Sequence, residues 1–311
     1  MLEPSPPPAR APLSRGYAGV ALAAASWGTW SIFLRLAQAA APIAPQLSTF
    51  VVMATIMIVL GPLAARATQR RSAPRAAREW LLIAIFGISD ALNVVLYFGA
   101  LQTTSVSVAV LTHYLAPLLV ALSAPLVLGE PRRPGTLSAV LIGLGGLTLL
   151  LAPWNAGAAD QKLLLGAGMG LLSAVFFAAG VLFNKRLARS FEPAELIVYH
   201  LPSALVVLVL LMPSGGWTLS ASGALWLVLG ALGPGAIAGV VFAGSLRGIP
   251  AAHTSVLTLV EPLTAITIAA LSWGEALGPT GLAGAAAILG AGYLVVREAR
   301  PAPLTGAIAQ P

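Results

Sequence analysis

Charge is scarce in this chain, and cysteine is missing altogether. Asp, Glu, Lys and Arg fill 9% of its 311 positions, whereas an ordinary soluble domain carries about 25%, so a water-facing shell cannot be assembled. The absence of cysteine excludes disulfides, thiolate metal sites and a cysteine nucleophile. Also missing are the H-E-x-x-H of zinc hydrolases, the G-x-S-x-G of serine esterases and the phosphate-cradling G-x-x-x-x-G-K. An enzyme is therefore not expected and no cofactor is implied. Without a nucleotide-binding element, ATP-driven pumping by this chain alone is not expected either.

What fills the chain is apolar, with 58% hydrophobic residues and a mean hydropathy of +0.90. These residues gather in ten runs, at about 16 to 34, 43 to 63, 79 to 100, 104 to 128, 135 to 152, 163 to 184, 194 to 213, 223 to 244, 252 to 272 and 279 to 296. Such lengths suit helices that rise 1.5 Å per residue across a hydrocarbon core of about 30 Å. The first run follows arginines as a signal peptide would, but it stays apolar through Trp27 to Leu34, which reads as an uncleaved helix. The expected fold class is thus an all-α integral membrane protein of ten transmembrane helices, with the lipid bilayer as its surroundings. Residues 1–15, rich in proline, and residues 298–311 read as cytoplasmic tails without a fold.

Basic residues outnumber acidic ones 17 to 10, an excess that in a soluble protein would raise the question of nucleic acid. Their placement answers it differently. With the N-terminus in the cytoplasm, the arginines and lysines of 10–15, 66–78, 132–133, 185–189, 247 and 297–300 all fall inside, leaving only Arg35 and Lys162 outside. Basic residues concentrate on the cytoplasmic side of membrane proteins. Both termini are therefore expected in the cytoplasm, the location is the cell inner membrane, and no nucleic-acid partner is expected.

The most regular feature is a stretch that occurs twice. Residues 113–130 read HYLAPLLVALSAPLVLGE and residues 258–275 read TLVEPLTAITIAALSWGE, so Pro117 and Pro262 each precede a Gly-Glu pair at the same spacing. At the same offset Leu101 meets Leu246, Pro134 meets Pro279, Gly145 meets Gly290 and Leu149 meets Leu294. Half of the protein is repeated, as units 16–152 and 163–297. Because each unit holds an odd number of helices, the second enters the membrane upside down, giving two inverted five-helix repeats. That is the usual architecture of secondary transporters, in which one site near the midplane is reached from alternate sides.

The ten helices in two repeats, Trp27-Gly28 in the first helix, and the spacings Pro117 to Glu130 and Glu261-Pro262 to Glu275 resemble the EamA-type branch of the drug/metabolite transporter superfamily. The resemblance spans about residues 16 to 297. Within that superfamily the chain is most similar to the YddG-type exporters of aromatic and other neutral amino acids. This resemblance implies a small-molecule substrate, an amino acid or related metabolite, in a cavity lined by the first, third, fourth, sixth, eighth and ninth helices. A drug or cationic-compound exporter of the same superfamily is the nearest alternative, and a passive channel the alternative of another class. The expected working unit is a monomer.

Ionisable groups at membrane depth are costly and face a cavity or a partner, which makes the few present here candidates. Asp90, Asn93 and Tyr97 share one face of the third helix by their i, i+3, i+7 spacing. They form a stripe suited to an ammonium group, or else a structural tie to a neighbouring helix. His113 and Tyr114 lie close before Pro117, where a proline kink leaves carbonyls unclaimed. Glu261, with Thr258 on its face, stands at the midplane of the ninth helix, as a cation site or as a partner for hydroxyls. Trp27, Trp30, Phe176, Phe177, Tyr97 and Tyr114 supply the aromatic walls that an apolar side chain needs, with packing as the alternative. Glu130 and Glu275 read as structural residues that cap the following helix. The glycines of the fifth and tenth helices read as a surface for close helix approach.

Overall fold

A computed structural model describes residues 13–71, 74–104, 106–155, 163–273 and 278–298. Most of the expected tails lie outside these residues, as do Lys162 and the second Gly-Glu pair, Gly274-Glu275. All regular structure among the described residues is helical. Among the described residues ten helices are long and apolar enough to cross a membrane: α1 Arg15–Gln38, α2 Pro45–Gln69, α3 Ala77–Thr103, α4 Val108–Leu128, α5 Pro134–Leu151, α6 Leu163–Leu187, α7 Pro193–Leu210, α8 Ala221–Gly248, α9 Ala251–Ser272 and α10 Pro279–Glu298. Each expected run is one of these helices, with ends that differ by a few residues.

The ends follow local rules. Proline opens α2, α5, α7 and α10, at the position where its missing N–H costs nothing. Gly129 closes α4 in the left-handed conformation, φ 69°, the conformation that glycine adopts without strain. At α7 the Glu192 and Glu195 side chains form a reciprocal capping box.

Five spans are interrupted part-way. Helix α1 breaks at Thr29, between Leu13–Gly28 and Trp30–Gln38. Helix α4 stops at His113 and resumes at Ala116, while α9 stops at Leu257 and resumes at Val260. Helix α7 breaks at His200, and α8 carries a π-helical turn, Ala231–Ile237, around Pro234. Proline accounts for most of this, because it has no N–H to give the carbonyl four residues earlier. Pro117 fails His113, Pro262 fails Thr258 and Pro202 fails Val198. The kinks of α4 and α9 thus fall at corresponding places in the two copies of the repeated stretch.

Helix α3 packs along α6, and α5 along α10; α1 lies against α8 and α9, α4 against α6 and α9, α2 against α7 and α8, and α3 also against α7. Exchanging each helix with the one five places on maps the set onto itself, with α2–α7, α4–α9 and α5–α10 unchanged and the other six pairs exchanged among themselves. At the α5–α10 crossing, Gly146 and Gly284 face each other so closely that a Cβ on either would meet the other's carbonyl oxygen, which is the close approach expected of small residues. Gly145 and Gly290, by contrast, have open space beside them. Large apolar side chains such as Leu126, Leu164 and Leu271 stand exposed on the outer surface, where lipid is the compatible solvent.

Candidate substrate site

A hollow of about 160 Å³ lies among α1, α3, α6, α7 and α8. Helix α3 contributes Phe86, Asp90 and Asn93, one helical turn apart, and α6 contributes Phe176, Phe177, Gly180, Val181 and Asn184 along one stripe. Trp27 of α1 and Phe242 of α8 close one wall, with ring centroids 4.8 Å apart. Helix α7 adds Ile197 and His200.

The break in α7 is what puts His200 there. In a regular helix its backbone N–H would go to the Leu196 carbonyl, but it turns to Val198, whose usual donor would have been Pro202. The Leu196 carbonyl instead meets the His200 ring Nδ1 at 2.7 Å. The ring stacks on Phe86 with centroids 4.3 Å apart, and its Nε2 lies 3.3 Å from Asp90 Oδ2. Gly87 makes the approach of α3 to this break feasible, since a Cβ there would run into the His200 carbonyl.

Two more polar groups bound the hollow. Asn184 is buried, and its side-chain oxygen has no hydrogen-bond partner, an arrangement that costs about 1–3 kcal/mol unless something arrives to satisfy it. Asn93 is satisfied: its Oδ1 and its carbonyl oxygen lie 2.8 and 3.0 Å from Ser173 Oγ, and His113 Nδ1 lies 2.8 Å from the same hydroxyl. Both Asn93 oxygens can only accept, so Ser173 donates to Asn93 and His113 donates to Ser173.

The sequence-predicted residues therefore divide. Trp27, Asp90, Asn93, Phe176 and Phe177 line one hollow. Tyr97, His113 and Tyr114 stack beside it, with His113 4.3 Å from the Tyr97 ring, 5.0 Å from Tyr114 and 5.3 Å from Phe177. Glu261 stands beside Tyr114 on the α4–α9 side and Thr258 is fully buried with its hydroxyl on the Ser255 carbonyl; neither lines the hollow. Trp30 packs on Phe33 and on Gly230 of α8. The lining helices also differ from those the resemblance implied. Helix α7 takes part, whereas α4 and α9 contribute no lining residue. His200 and Asn184 are not among the expected lining residues, because nothing in a single sequence marks a histidine just before Leu-Pro, or one asparagine near a basic helix end, as cavity-facing.

A larger hollow, about 650 Å³, lies at the basic end between α2 and the segment after it, the segment that joins α6 to α7, the start of α7, and α8, and is lined by Arg66, Arg70, Arg71, Arg75, Arg189 and Arg247 against Glu192 and Glu195. Its frame is a buried ion pair, Arg75 with Glu195 at 2.5 Å. Glu195 also accepts from Thr68 and from the Glu192 backbone N–H. Arg247 pairs with Glu192 and donates to the Phe191 carbonyl.

Beside this hollow a set of polar contacts links helices at the basic end. Tyr17 and Thr136 hydrogen-bond opposite nitrogens of His253, and Glu298 pairs with it. Lys185 donates to the carbonyls of Leu246 and Ile249. Glu130 accepts from the Ala251 backbone N–H, so it caps α9 rather than the following helix α5. Helix α5 opens on Pro134, so one of the donors a cap would serve is absent. Among the described residues no three His, Asp or Glu side chains gather as a metal ion would require.

Ten membrane-length helices around an internal hollow of mixed polar and aromatic lining define the class of polytopic membrane transporters. The model of the EamA-like transporter family matches twice, over residues 14–152 and 164–297, and the chain belongs to that family. A protein of Archaeoglobus fulgidus described as an uncharacterized transporter is 28% identical over 287 residues, spanning 91% of this chain and 97% of the relative. The uncharacterized transporter YwfM of Bacillus subtilis (strain 168) is 27% identical over 224 residues, 71% of this chain and 74% of the relative. A solved crystal structure with 21% identity covers 90% of this chain and 98% of its own, with a TM-score of 0.75, which is a likeness of fold.

Proposed function

We propose that this transporter exports small neutral amino acids from the cytoplasm across the inner membrane by alternating access of two inverted repeats. The observation that carries the substrate class is the lining of the inner hollow. Asp90, with its side chain 31% exposed, offers a carboxylate to an ammonium group, and the unpartnered Asn184 oxygen offers a second acceptor. Trp27, Phe176, Phe177 and Phe242 offer walls to an apolar side chain. Size favours the smaller substrates. At roughly 30 Å³ per water, a hollow of about 160 Å³ corresponds to about five waters. A small amino acid enters it as it stands, while an aromatic one requires Phe176 or Phe177 to swing aside.

Two further observations support the cycle. The packing pairs map onto one another when the five-helix units are exchanged, as two related halves of opposite orientation would require. The stacked Tyr97, His113 and Tyr114 stand beside the inner hollow as an outer gate, while the arginine-lined hollow serves as the inward vestibule. The concentration of basic residues at this end supports a vestibule, and both termini, facing the cytoplasm.

Counterflow of labelled alanine and labelled phenylalanine into proteoliposomes holding the purified full-length protein tests this reading. Saturable alanine counterflow is expected, with phenylalanine slower. No counterflow of either, alongside counterflow of a lipophilic cation, would move the protein to the drug-exporter reading; non-saturable leakage would make it a channel.

A further inference from the structure

We propose that Asp90 and His200 form a one-proton binding site, and that substrate ammonium displaces this proton when it binds Asp90. The second half rests on the amino-acid reading above; the first does not.

Hydrogen-bond accounting carries the first half. The Leu196 carbonyl oxygen, 2.7 Å from His200 Nδ1, can only accept, so Nδ1 carries a proton. Neutral imidazole has one proton, and this bond uses it. Nε2 then faces Asp90 Oδ2 at 3.3 Å. With a bare Nε2 and an ionised Asp90 two lone pairs would oppose each other, so the contact holds one further proton. It sits either on Nε2, as imidazolium against carboxylate, or on Oδ2, as a carboxylic acid donating to imidazole. Both forms have the same composition and zero net charge. Losing that proton leaves one negative charge beside a low-dielectric aromatic wall, a costly state.

The surroundings leave the pair to balance its own charge. Among the described residues Asp90 and His200 are the two titratable side chains lining the hollow. On the helices packed around it, Glu195 of α7 is held by Arg75 and Thr68, and Tyr199 is bonded to Thr68. Lys185 of α6 is held by the Leu246 and Ile249 carbonyls and faces Glu130 at 3.9 Å. None of these is among the lining residues.

The second half follows from charge balance. Asp90 is the one carboxylate of the hollow, and a single positive charge neutralises it, whether the proton on His200 or an arriving ammonium. When the ammonium takes Asp90, the imidazolium loses its counter-ion and releases its proton, one for each substrate bound. An outward-moving amino acid is thereby exchanged for an inward-moving proton. His200 sits at the break of α7 and Asp90 on α3, so the exchange also changes the tie between these helices.

Nitrogen-15 histidine NMR of the full-length protein in lipid nanodiscs reads the proton site without any substrate, and with three histidines in the chain the His200→Gln variant assigns the signal. The expected result at neutral pH is Nδ1 protonated and Nε2 protonated or strongly hydrogen-bonded, collapsing to the neutral Nδ1–H form in Asp90→Asn. A neutral ring with the proton on Nε2 and a bare Nδ1, or a signal unmoved by Asp90→Asn, overturns the site. Proteoliposomes with a lumenal pH dye and labelled alanine read the displacement. An opposing proton gradient is expected to raise wild-type alanine flux several-fold, and the ratio of flux with and without the gradient should fall to about one in His200→Gln, whatever its absolute rate. Wild-type alanine counterflow that ignores the gradient overturns the displacement. Absence of alanine counterflow together with the expected NMR signature sinks the amino-acid reading and leaves the proton site supported.

Discussion

Gly180 offers the sharpest test of whether the inner hollow is where substrate sits. It lies on the hollow-facing stripe of α6, and a Cβ built there meets only the Phe86 ring, at 3.5 and 4.0 Å, which is ordinary van der Waals contact. The fold therefore tolerates a side chain at 180. Removing a glycine from a helix interior even gains a few tenths of a kcal/mol, because glycine is about 1 kcal/mol worse than alanine there. The hollow does not tolerate it equally. Alanine adds one methyl-sized group and valine three, each about as large as a water at roughly 30 Å³. Valine thus removes more than half of the 160 Å³. Overpacking of this kind costs about 1–3 kcal/mol, which at 1.4 kcal/mol per tenfold is a rise of about 5- to 150-fold in the half-saturation concentration. The assay is alanine counterflow at varied concentration, with thermal unfolding in detergent as the control. Gly180→Ala should show a several-fold effect and Gly180→Val a larger one, both with unchanged unfolding temperature. A well-folded Gly180→Val protein with wild-type half-saturation would refute the placement of substrate in this hollow.

Three other outcomes follow from geometry. Arg75→Ala and Glu195→Ala each strand a partner of a buried ion pair, with side chains 3% and 1% exposed, and should each cost about 3–5 kcal/mol; equilibrium unfolding of the double variant should show a cost well below the sum. Ser173→Ala removes the hydroxyl that serves both His113 and Asn93 and should cost about 1–3 kcal/mol in the same measurement, with Ser173→Thr retaining part of it. Gly284→Leu drives a side chain into the Gly146 carbonyl and the Leu150 backbone, so α5 and α10 must separate; the loss should appear in cysteine cross-linking between these helices, which carry no native cysteine to interfere.

Spans were legible in the sequence because lipid enforces length and apolarity on each of them alone, so no tertiary information is required. The proline kinks of α4 and α9 were legible for the same reason, since a missing N–H acts within one helix. Asp90 and Asn93 could be read as one face of α3 from their spacing. What the sequence did not carry is which neighbour each face meets. His200 enters the hollow only because Pro202 disrupts α7 and Gly87 admits the broken turn against α3. Asn184 becomes an unmet acceptor only once α6 is laid along α3. Glu130 looked like a cap for the next helix, yet its acceptor role is filled by Ala251, 121 residues away. Each is a property of a contact between helices rather than of one helix.

The two copies of the repeated stretch differ at positions that the fold brings together. Tyr114 of α4 corresponds to Leu259 of α9, and Ala116 corresponds to Glu261. In the folded chain Tyr114 of the first copy stands beside Glu261 of the second. A strictly symmetric pair could not make this contact. Glutamate in both copies would set two carboxylates against each other across the α4–α9 interface, and tyrosine with glutamate in both would crowd a space where Ala116, Leu259 and Val120 are buried. Divergence of the copies is therefore what sets one phenol beside one carboxylate near the kinks of α4 and α9, where the Thr258 carbonyl that Pro262 cannot serve accepts from the Glu261 N–H instead. The same divergence confines the cavity-facing carboxylate to α3, because the helix equivalent to it, α8, has apolar or glycine residues through its π-helical turn. A site with one carboxylate can be neutralised by one cation at a time, which is the condition that the exchange of ammonium for proton at Asp90 requires.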